Sequence, residues 1–169
     1  MLQVSWLLLG AATMIGSLRA RRSLGSHRLA LGALAALFLG AGAAVNAVHL
    51  LLGRTYSHFA DASPSAFVRD TWVSVVVPHV TFFIALLVLF EAAVGALVLV
   101  GGPCRRVALV LVAAFHVALL AFSGWYAVWS LPMVAAMLLL LRADRVWAPE
   151  VSPGPSSSRS AGRAATAGG

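Results

Sequence analysis

Long apolar runs are the feature that most limits what this chain can fold into. Three of them cover residues 29–52, 73–100 and 107–141, and a shorter one covers residues 2–18. A helix needs about 20 apolar residues, with a range of about 17–25, to cross the hydrocarbon core of a bilayer. Only 10% of the residues are charged, against about 25% in a soluble domain. The pattern predicts an all-α membrane protein.

The last of these runs is too long for one ordinary crossing, and its middle carries a break. The break consists of Ser123, Gly124, Trp125, Tyr126 and, slightly later, Trp129. Aromatic residues in such a position favour the boundary between membrane and water. We therefore predict two helices here, over residues 107–123 and 126–141.

The predicted fold is a polytopic transmembrane helical bundle, with one N-terminal hydrophobic helix added to a four-helix core. The core covers residues 29–142, and its helices are predicted at about 29–52, 73–100, 107–123 and 126–141. Residues 1–18 form either a further crossing or a peripheral segment, and residues 19–28 form a basic loop. Residues 143–169 are rich in Pro, Ser, Gly and Ala, which predicts a disordered tail.

The distribution of arginine predicts the orientation in the membrane. Four arginines lie in residues 19–28, two in residues 105–106 and four in residues 142–163, whereas the polar loop after the second run holds only Arg54 and Arg69. Short loops rich in Arg stay in the cytoplasm. We expect a multi-pass protein of the cell membrane with its C-terminus in the cytoplasm.

The net charge of +7 does not indicate a nucleic-acid-binding protein. The arginines lie at the ends of apolar runs rather than on one polar face, so membrane topology explains them better. Cys104 is the only cysteine, which excludes an internal disulfide and any CxxC motif.

Few ionisable groups lie inside the apolar runs, and two of them are predicted at one depth. Glu91 lies nine residues before Val100, about 13 Å along a helix, and His116 lies equally far after Val107. We predict that Glu91 and His116 are neighbours, either as a proton site or as a neutral pair that locks two helices together. Ser123 shares the helix face of His116 and completes this candidate buried site.

A second polar group is predicted nearer the outer surface. Asn46 and His49 share one face of the second run, His79 lies near the outer end of the third, and His58 lies in the polar loop. Histidines so placed could bind a metal ion, hydrogen-bond a quinone headgroup, or simply hydrogen-bond the carbonyls of nearby loops. Neither HxxxH nor HExxH spacing occurs, so the metal alternative has little support and no metal site is predicted.

Small residues recur at every fourth position of the second run. They are Gly32, Ala36, Gly40 and Ala44. A ladder of this kind lets another helix backbone approach closely. We expect it to serve as the contact face of a homo-oligomer.

Residues 28–142 resemble the DoxX-like family of small bacterial membrane proteins. The resemblance rests on Arg28-Leu29-Ala30-Leu31-Gly32, and on residues 90–102, in which Glu91 is followed by an apolar turn and a short Gly-rich loop. It implies a four-helix bundle with both ends in the cytoplasm. Some members are linked to sulfur or thiosulfate oxidation with quinone as electron acceptor. The resemblance therefore implies a quinone cofactor and a membrane redox partner.

Three functions remain open from the sequence. The first is a quinone-linked redox or stress-response membrane subunit with Glu91 and His116 as its buried site. The second is a small proton-coupled transporter in which Glu91 binds the proton, and the third is a structural membrane anchor. No Walker loop, GxSxG, HExxH or GxGxxG motif occurs, which argues against an enzyme that acts on its own.

Overall fold

The computed structural model of the protein describes residues 2–147, and no strand occurs in that range. We number its helices α1 (Leu2–Arg19), α2 (Leu24–Leu51), α3 (Ala66–Val100), α4 (Gly102–Leu119) and α5 (Gly124–Val146). Helices α2 to α5 are long and apolar enough to cross a membrane, whereas α1 is a shorter apolar helix. The all-α prediction is confirmed for the described residues.

Two of the helices change their winding along their length. Helix α2 becomes a π-helix over Leu37–Ala44, and α3 does so over Trp72–Val76 before a tighter turn over Val77–His79. Pro78 lies in this turn and has no backbone N–H to donate, which interrupts the regular α-helical hydrogen bonding there. π-Helices are rare and frequently occur at functional sites.

Serine side chains determine where three helices begin. The hydroxyls of Ser23, Ser65 and Ser123 each accept a hydrogen bond from the backbone N–H three residues further on, ahead of α2, α3 and α5. Because two of these serines lie upstream of the apolar runs, α2 and α3 begin earlier than the runs predict, at Leu24 and Ala66.

Helix α5 extends past Arg142, the predicted end of the membrane domain, to Val146. The indole Nε1 of the following Trp147 donates a 2.8 Å hydrogen bond to the carbonyl of Ala20, which ties this end of α5 to the turn after α1. The disordered tail was predicted from residue 143, and its part from residue 148 onward lies outside the described residues.

The helices pack in a ring, because each contacts its neighbours in the chain and α1 also contacts α5. Helices α2 to α5 each contribute a buried side chain to the common core: Leu34, Val94, Val112 and Met137. Short turns join α1 to α2, α3 to α4 and α4 to α5, so adjacent helices run antiparallel. Helix α1 packs on the outside of the core, between α2 and α5.

A pair of stacked indoles holds α1 against α5. The rings of Trp6 and Trp129 are 3.9 Å apart between centroids, with an angle of 25° between their planes. Gly10 leaves room for this stack, since a Cβ atom there would overlap the Trp129 ring. Any larger residue at position 10 would separate the two helices.

The bundle has two chemically different ends. The loop end consists of residues 52–65 and the turn at 120–123, and the arginine end consists of the turns at 20–23 and 101 with Trp147. At the loop end Phe59 packs on Trp72 and Phe122, with centroid distances of 5.1 and 5.0 Å. The Ser63 hydroxyl donates a 2.6 Å hydrogen bond to the carbonyl of Ala121. The polar loop is thereby fixed over the end of the bundle.

Candidate functional site

Glu91 lies on α3 inside the bundle, with only 7% of its surface exposed. Its carboxylate oxygen Oε2 accepts a 2.9 Å hydrogen bond from Nδ2 of Asn46 on α2. A buried acid needs such a partner, because an unpaired polar group loses its hydration without compensation. The interior acid and the α2 amide therefore form one unit.

This unit continues to the loop end through Tyr56. The Tyr56 hydroxyl donates a 3.0 Å hydrogen bond to Oδ1 of Asn46, and the Tyr56 carbonyl accepts a 2.8 Å hydrogen bond from Nε1 of Trp72. One orientation of the Asn46 amide satisfies both of its bonds, since its oxygen accepts and its nitrogen donates. We call this arrangement the Tyr56–Asn46–Glu91 chain.

The π-helix of α2 provides the space that Glu91 occupies. Gly42 lies in this π-helix, and a Cβ atom there would lie 2.7 Å from Oε1 and 2.8 Å from Cδ of Glu91. Such a distance is shorter than a van der Waals contact, so only glycine fits beside the carboxylate. Gly42 and Asn46 are thus presented to Glu91 from successive turns of one helix.

The hydroxyl of Tyr56 is a reliable hydrogen-bond donor at neutral pH. Burial, and then the nearby Glu91 carboxylate, raise the pKa of Tyr56 above its usual value. Both causes disfavour the negatively charged phenolate. The donor end of the chain therefore stays protonated throughout the physiological range.

His116 is buried at 3% exposure, but its hydrogen bond is made within its own helix. Its Nδ1–H donates to the Val112 carbonyl at 2.9 Å. Within residues 2–147, no hydrogen bond or ion pair joins His116 to Glu91.

Helix geometry explains why Glu91 turns to α2. The rings of Phe90 and Phe115 lie 5.4 Å apart, so α3 and α4 face each other at the level of the predicted pair. Consecutive residues of a helix point about 100° apart. Because Phe90 faces α4, Glu91 is directed towards α2 and Asn46.

The remaining candidate residues are not brought together in one place. Ser123 caps α5 through the N–H of Tyr126. His58 pairs with Asp61 in the polar loop, with Nδ1 and Oδ2 2.8 Å apart and both side chains largely exposed.

Of the predicted outer group, only His49 lies near the Tyr56–Asn46–Glu91 chain. Its ring centroid is 6.5 Å from that of Tyr56. His79 ends the tight turn of α3. In the described part of the chain, no group of three His, Cys, Asp or Glu residues is arranged to hold a metal ion.

A shallow cleft of about 70 Å³ borders the chain at the loop end. Its lining includes Thr55, Tyr56, Ser57, Trp72 and Val76. An engineered protein cavity that binds benzene measures about 150 Å³. The cleft is therefore too small for a quinone ring unless its walls move.

Sequence reasoning missed a charged cluster at the arginine end. Asp144 on α5 is 5% exposed and accepts hydrogen bonds from Arg105 Nη1 at 2.9 Å and Arg106 Nε at 3.0 Å. His27 on α2 lies beside it, with Nε2 3.9 Å from Asp144 Oδ1. The signal in the sequence was an acid among the arginines of residues 142–145, where the charge pattern alone favours a solvated basic loop.

The chain was also compared with known proteins. No family model matches the sequence, and neither a curated protein nor a solved structure matches it.

Proposed function

We propose that the chain is a polytopic membrane protein in which α2 to α5 cross the bilayer and the arginine end lies in the cytoplasm. Large apolar side chains on the outside of the bundle support this, among them Phe82, Leu89, Val110 and Leu131, each more than half exposed. Soluble monomers rarely expose contiguous apolar patches larger than a few hundred Å². Helix α1, antiparallel to α2, begins at the loop end and is proposed as a fifth crossing.

We further propose that the protein is a small proton-coupled carrier and that Glu91 is the residue that binds its proton. The Asn46–Glu91 hydrogen bond is the observation that carries this proposal, because it joins the buried acid to Tyr56 at the loop end. Ionisable residues inside membrane-spanning segments are costly, and they often mark proton relays or transport pathways. A small proton-coupled carrier uses such a site.

The two ends of the chain have different roles in this proposal. Asn46 holds the carboxylate but cannot readily pass a proton on, because its amide nitrogen is not basic. Tyr56 covers the amide from the loop end. Movement of Tyr56 towards the neighbouring cleft would open Glu91 to water, and its return would close the site again.

Glu91→Gln in proteoliposomes tests the proposal. Glutamine keeps the size and one hydrogen-bond acceptor but cannot ionise, so proton uptake driven by a pH gradient should be abolished. Asp61→Asn is the matched control, since it removes an acid from the exposed loop and should leave uptake unchanged. Uptake that survives Glu91→Gln would overturn the proposal.

A quinone-linked redox role is the second candidate, and the position of the cleft favours it. Tyr56 and Trp72 border the cleft, and Tyr56 also belongs to the Tyr56–Asn46–Glu91 chain. The walls of the cleft would have to move apart to admit a quinone ring, whose carbonyl would then lie near a hydrogen-bond donor and an acid. Quenching of tryptophan fluorescence by a short-chain benzoquinone, lost in Trp72→Phe and retained in Trp147→Phe, would support it.

The expected oligomer face is also a proposal. Gly32, Ala36, Gly40 and Ala44 are all exposed on α2, and a Cβ atom at Gly32 or Gly40 would meet nothing within 4 Å. The small side chains leave a shallow groove along the helix. We propose that a second copy of the chain packs into it, helix against helix.

A further inference from the structure

The cluster around Asp144 contains more positive than negative charge. Arg105 and Arg106 lie near the start of α4, where the helix end itself carries about +0.5 of a charge. Gly101, before this helix, provides no side chain to cap it. One carboxylate, Asp144, opposes two guanidinium groups and the helix end. A further anion would balance the cluster.

Protein groups alone do not complete the cluster. His27 is 2% exposed, and neither of its ring nitrogens has a hydrogen-bond partner among the described residues. Its Nε2 faces the same Asp144 oxygen that Arg105 binds, at 3.9 Å. A buried imidazole ordinarily has a partner for its N–H. The unused donor belongs to the same charged site as the two arginines.

Arg106 is the member of the cluster best placed to bind an external anion. Its Nε is bonded to Asp144, while 44% of its side-chain surface is exposed. The bond at Nε fixes the guanidinium plane and leaves its two terminal nitrogens to donate. A fixed guanidinium fork matches the oxygens of a phosphate group.

The surface around Arg106 is strongly basic. Exposed arginines surround the arginine end: Arg19, Arg21, Arg22, Arg28, Arg142 and Arg145. Asp144, which is buried, is the only carboxylate at this end within residues 2–147. Among the residues that the structure describes, no exposed negative charge at this end would repel an approaching anion.

We propose that Arg106, with the start of α4, binds the phosphate of an anionic phospholipid at the arginine end of the bundle. This inference rests on the proposed membrane insertion, which places the arginine end at the level of the headgroups of the cytoplasmic leaflet. Anionic lipids are concentrated in that leaflet and attract Lys and Arg near its surface. Asp144 acts as the positioning residue that holds Arg106 in place.

The test compares lipids bound to the purified full-length protein. Native mass spectrometry after incubation with mixed micelles of phosphatidylglycerol and phosphatidylcholine should show preferential retention of phosphatidylglycerol. Arg106→Gln should weaken that retention about fivefold, since each basic residue near a membrane surface contributes about 1 kcal/mol. Arg54→Gln, which removes one exposed arginine from the loop end, should leave it unchanged.

Two further measurements keep the result interpretable. Thermal unfolding of the wild-type protein should show stabilisation by phosphatidylglycerol over phosphatidylcholine, whether or not the Arg106→Gln chain folds well. Millimolar inorganic phosphate should not displace the lipid; displacement would identify a free-phosphate site and overturn the proposal. Equal retention of both lipids, or equal retention by both variants, would overturn it as well. None of these outcomes depends on proton uptake at Glu91.

Discussion

The side-chain amide of Asn46 on α2 donates a 2.9 Å hydrogen bond to the carboxylate of Glu91 on α3. This bond joins two helices that both carry irregular winding. Asn46 lies two residues after Ala44, the last residue of the π-helix that contains Gly42. It links the buried acid to the loop end through Tyr56.

Replacing Asn46 with Leu should destabilise the bundle. Leucine has the same branching at Cγ but leaves the Glu91 carboxylate without its donor, and a hydrogen bond to a charged group contributes about 1.5–3 kcal/mol. The free energy of unfolding, measured in mixed micelles, should fall by that amount. His49→Leu, on the same helix, is the control and should cost less. Equal losses in the two variants would contradict the role given to Asn46.

Two glycines of α2 should respond to alanine in opposite directions. At Gly42 the added Cβ would meet the Glu91 carboxylate at 2.7 Å, and overpacking of this kind costs about 1–3 kcal/mol. At Gly40 the added Cβ meets nothing within 4 Å, so alanine should stabilise the helix by up to about 1 kcal/mol. The unfolding midpoints of Gly42→Ala and Gly40→Ala, measured in the same detergent, test both expectations. Stabilisation by Gly42→Ala would show that Glu91 lies elsewhere.

The titration of Tyr56 should report the charge of Glu91. The sequence has two tyrosines, so in a Tyr126→Phe background the phenolate absorbance at 295 nm comes from Tyr56 alone. Its pKa should lie above 10, raised by burial and by the Glu91 carboxylate. Glu91→Gln should lower this pKa but not restore its usual value, because burial remains. An unchanged titration midpoint in Glu91→Gln would show that the charge of Glu91 does not influence Tyr56.

The same shift has a consequence for stability. Because folding raises the pKa of Tyr56, the unfolded chain ionises first as the pH rises. The contribution of this tyrosine to the free energy of unfolding is therefore complete below about pH 10. It is lost as the pH rises through the pKa of Tyr56 in the folded protein. Tyr56→Phe should therefore lose less stability than the wild-type protein at alkaline pH. A comparison of the unfolding midpoints of both proteins at pH 9 and pH 11 would show this.

The helices were largely predictable from the sequence, because apolar runs and their breaks have a direct physical meaning. Four of the predicted runs correspond to helices long and apolar enough to cross a membrane. The starts of α2 and α3 were placed too late because hydropathy does not register a serine cap. Ser23 and Ser65 cap helices whose first turns lie before the predicted runs at residues 29–52 and 73–100.

The buried site was only partly predictable. Glu91 was found because an acid inside an apolar run is costly, but its partner depends on the direction of its side chain. Depth counted along separate helices suggested His116, whereas the side chain faces Asn46. Gly42 lies beside Glu91 and Leu39 beside Gly95, so the end of α3 lies against the middle of α2 rather than its start. This shift of one helix along the other cannot be predicted by counting residues from the ends of the apolar runs.

The exposed face of α2 should mediate self-association. Gly40→Leu would fill the groove between two copies and should raise the dissociation constant of a dimer about tenfold or more, which corresponds to about 1.4 kcal/mol. Gly40 is exposed, and a Cβ atom there would meet nothing within 4 Å in the monomer, so the fold should be retained. Sedimentation equilibrium in density-matched detergent measures the constant directly.

The control for this change is Val110→Phe, which enlarges an exposed residue on α4 and should leave association unchanged. Small residues at four-residue spacing matter because they let two backbones approach, and only a side chain in the groove prevents that. A monomeric wild-type chain would refute the proposed face. So would a dimer that tolerates leucine at both Gly32 and Gly40.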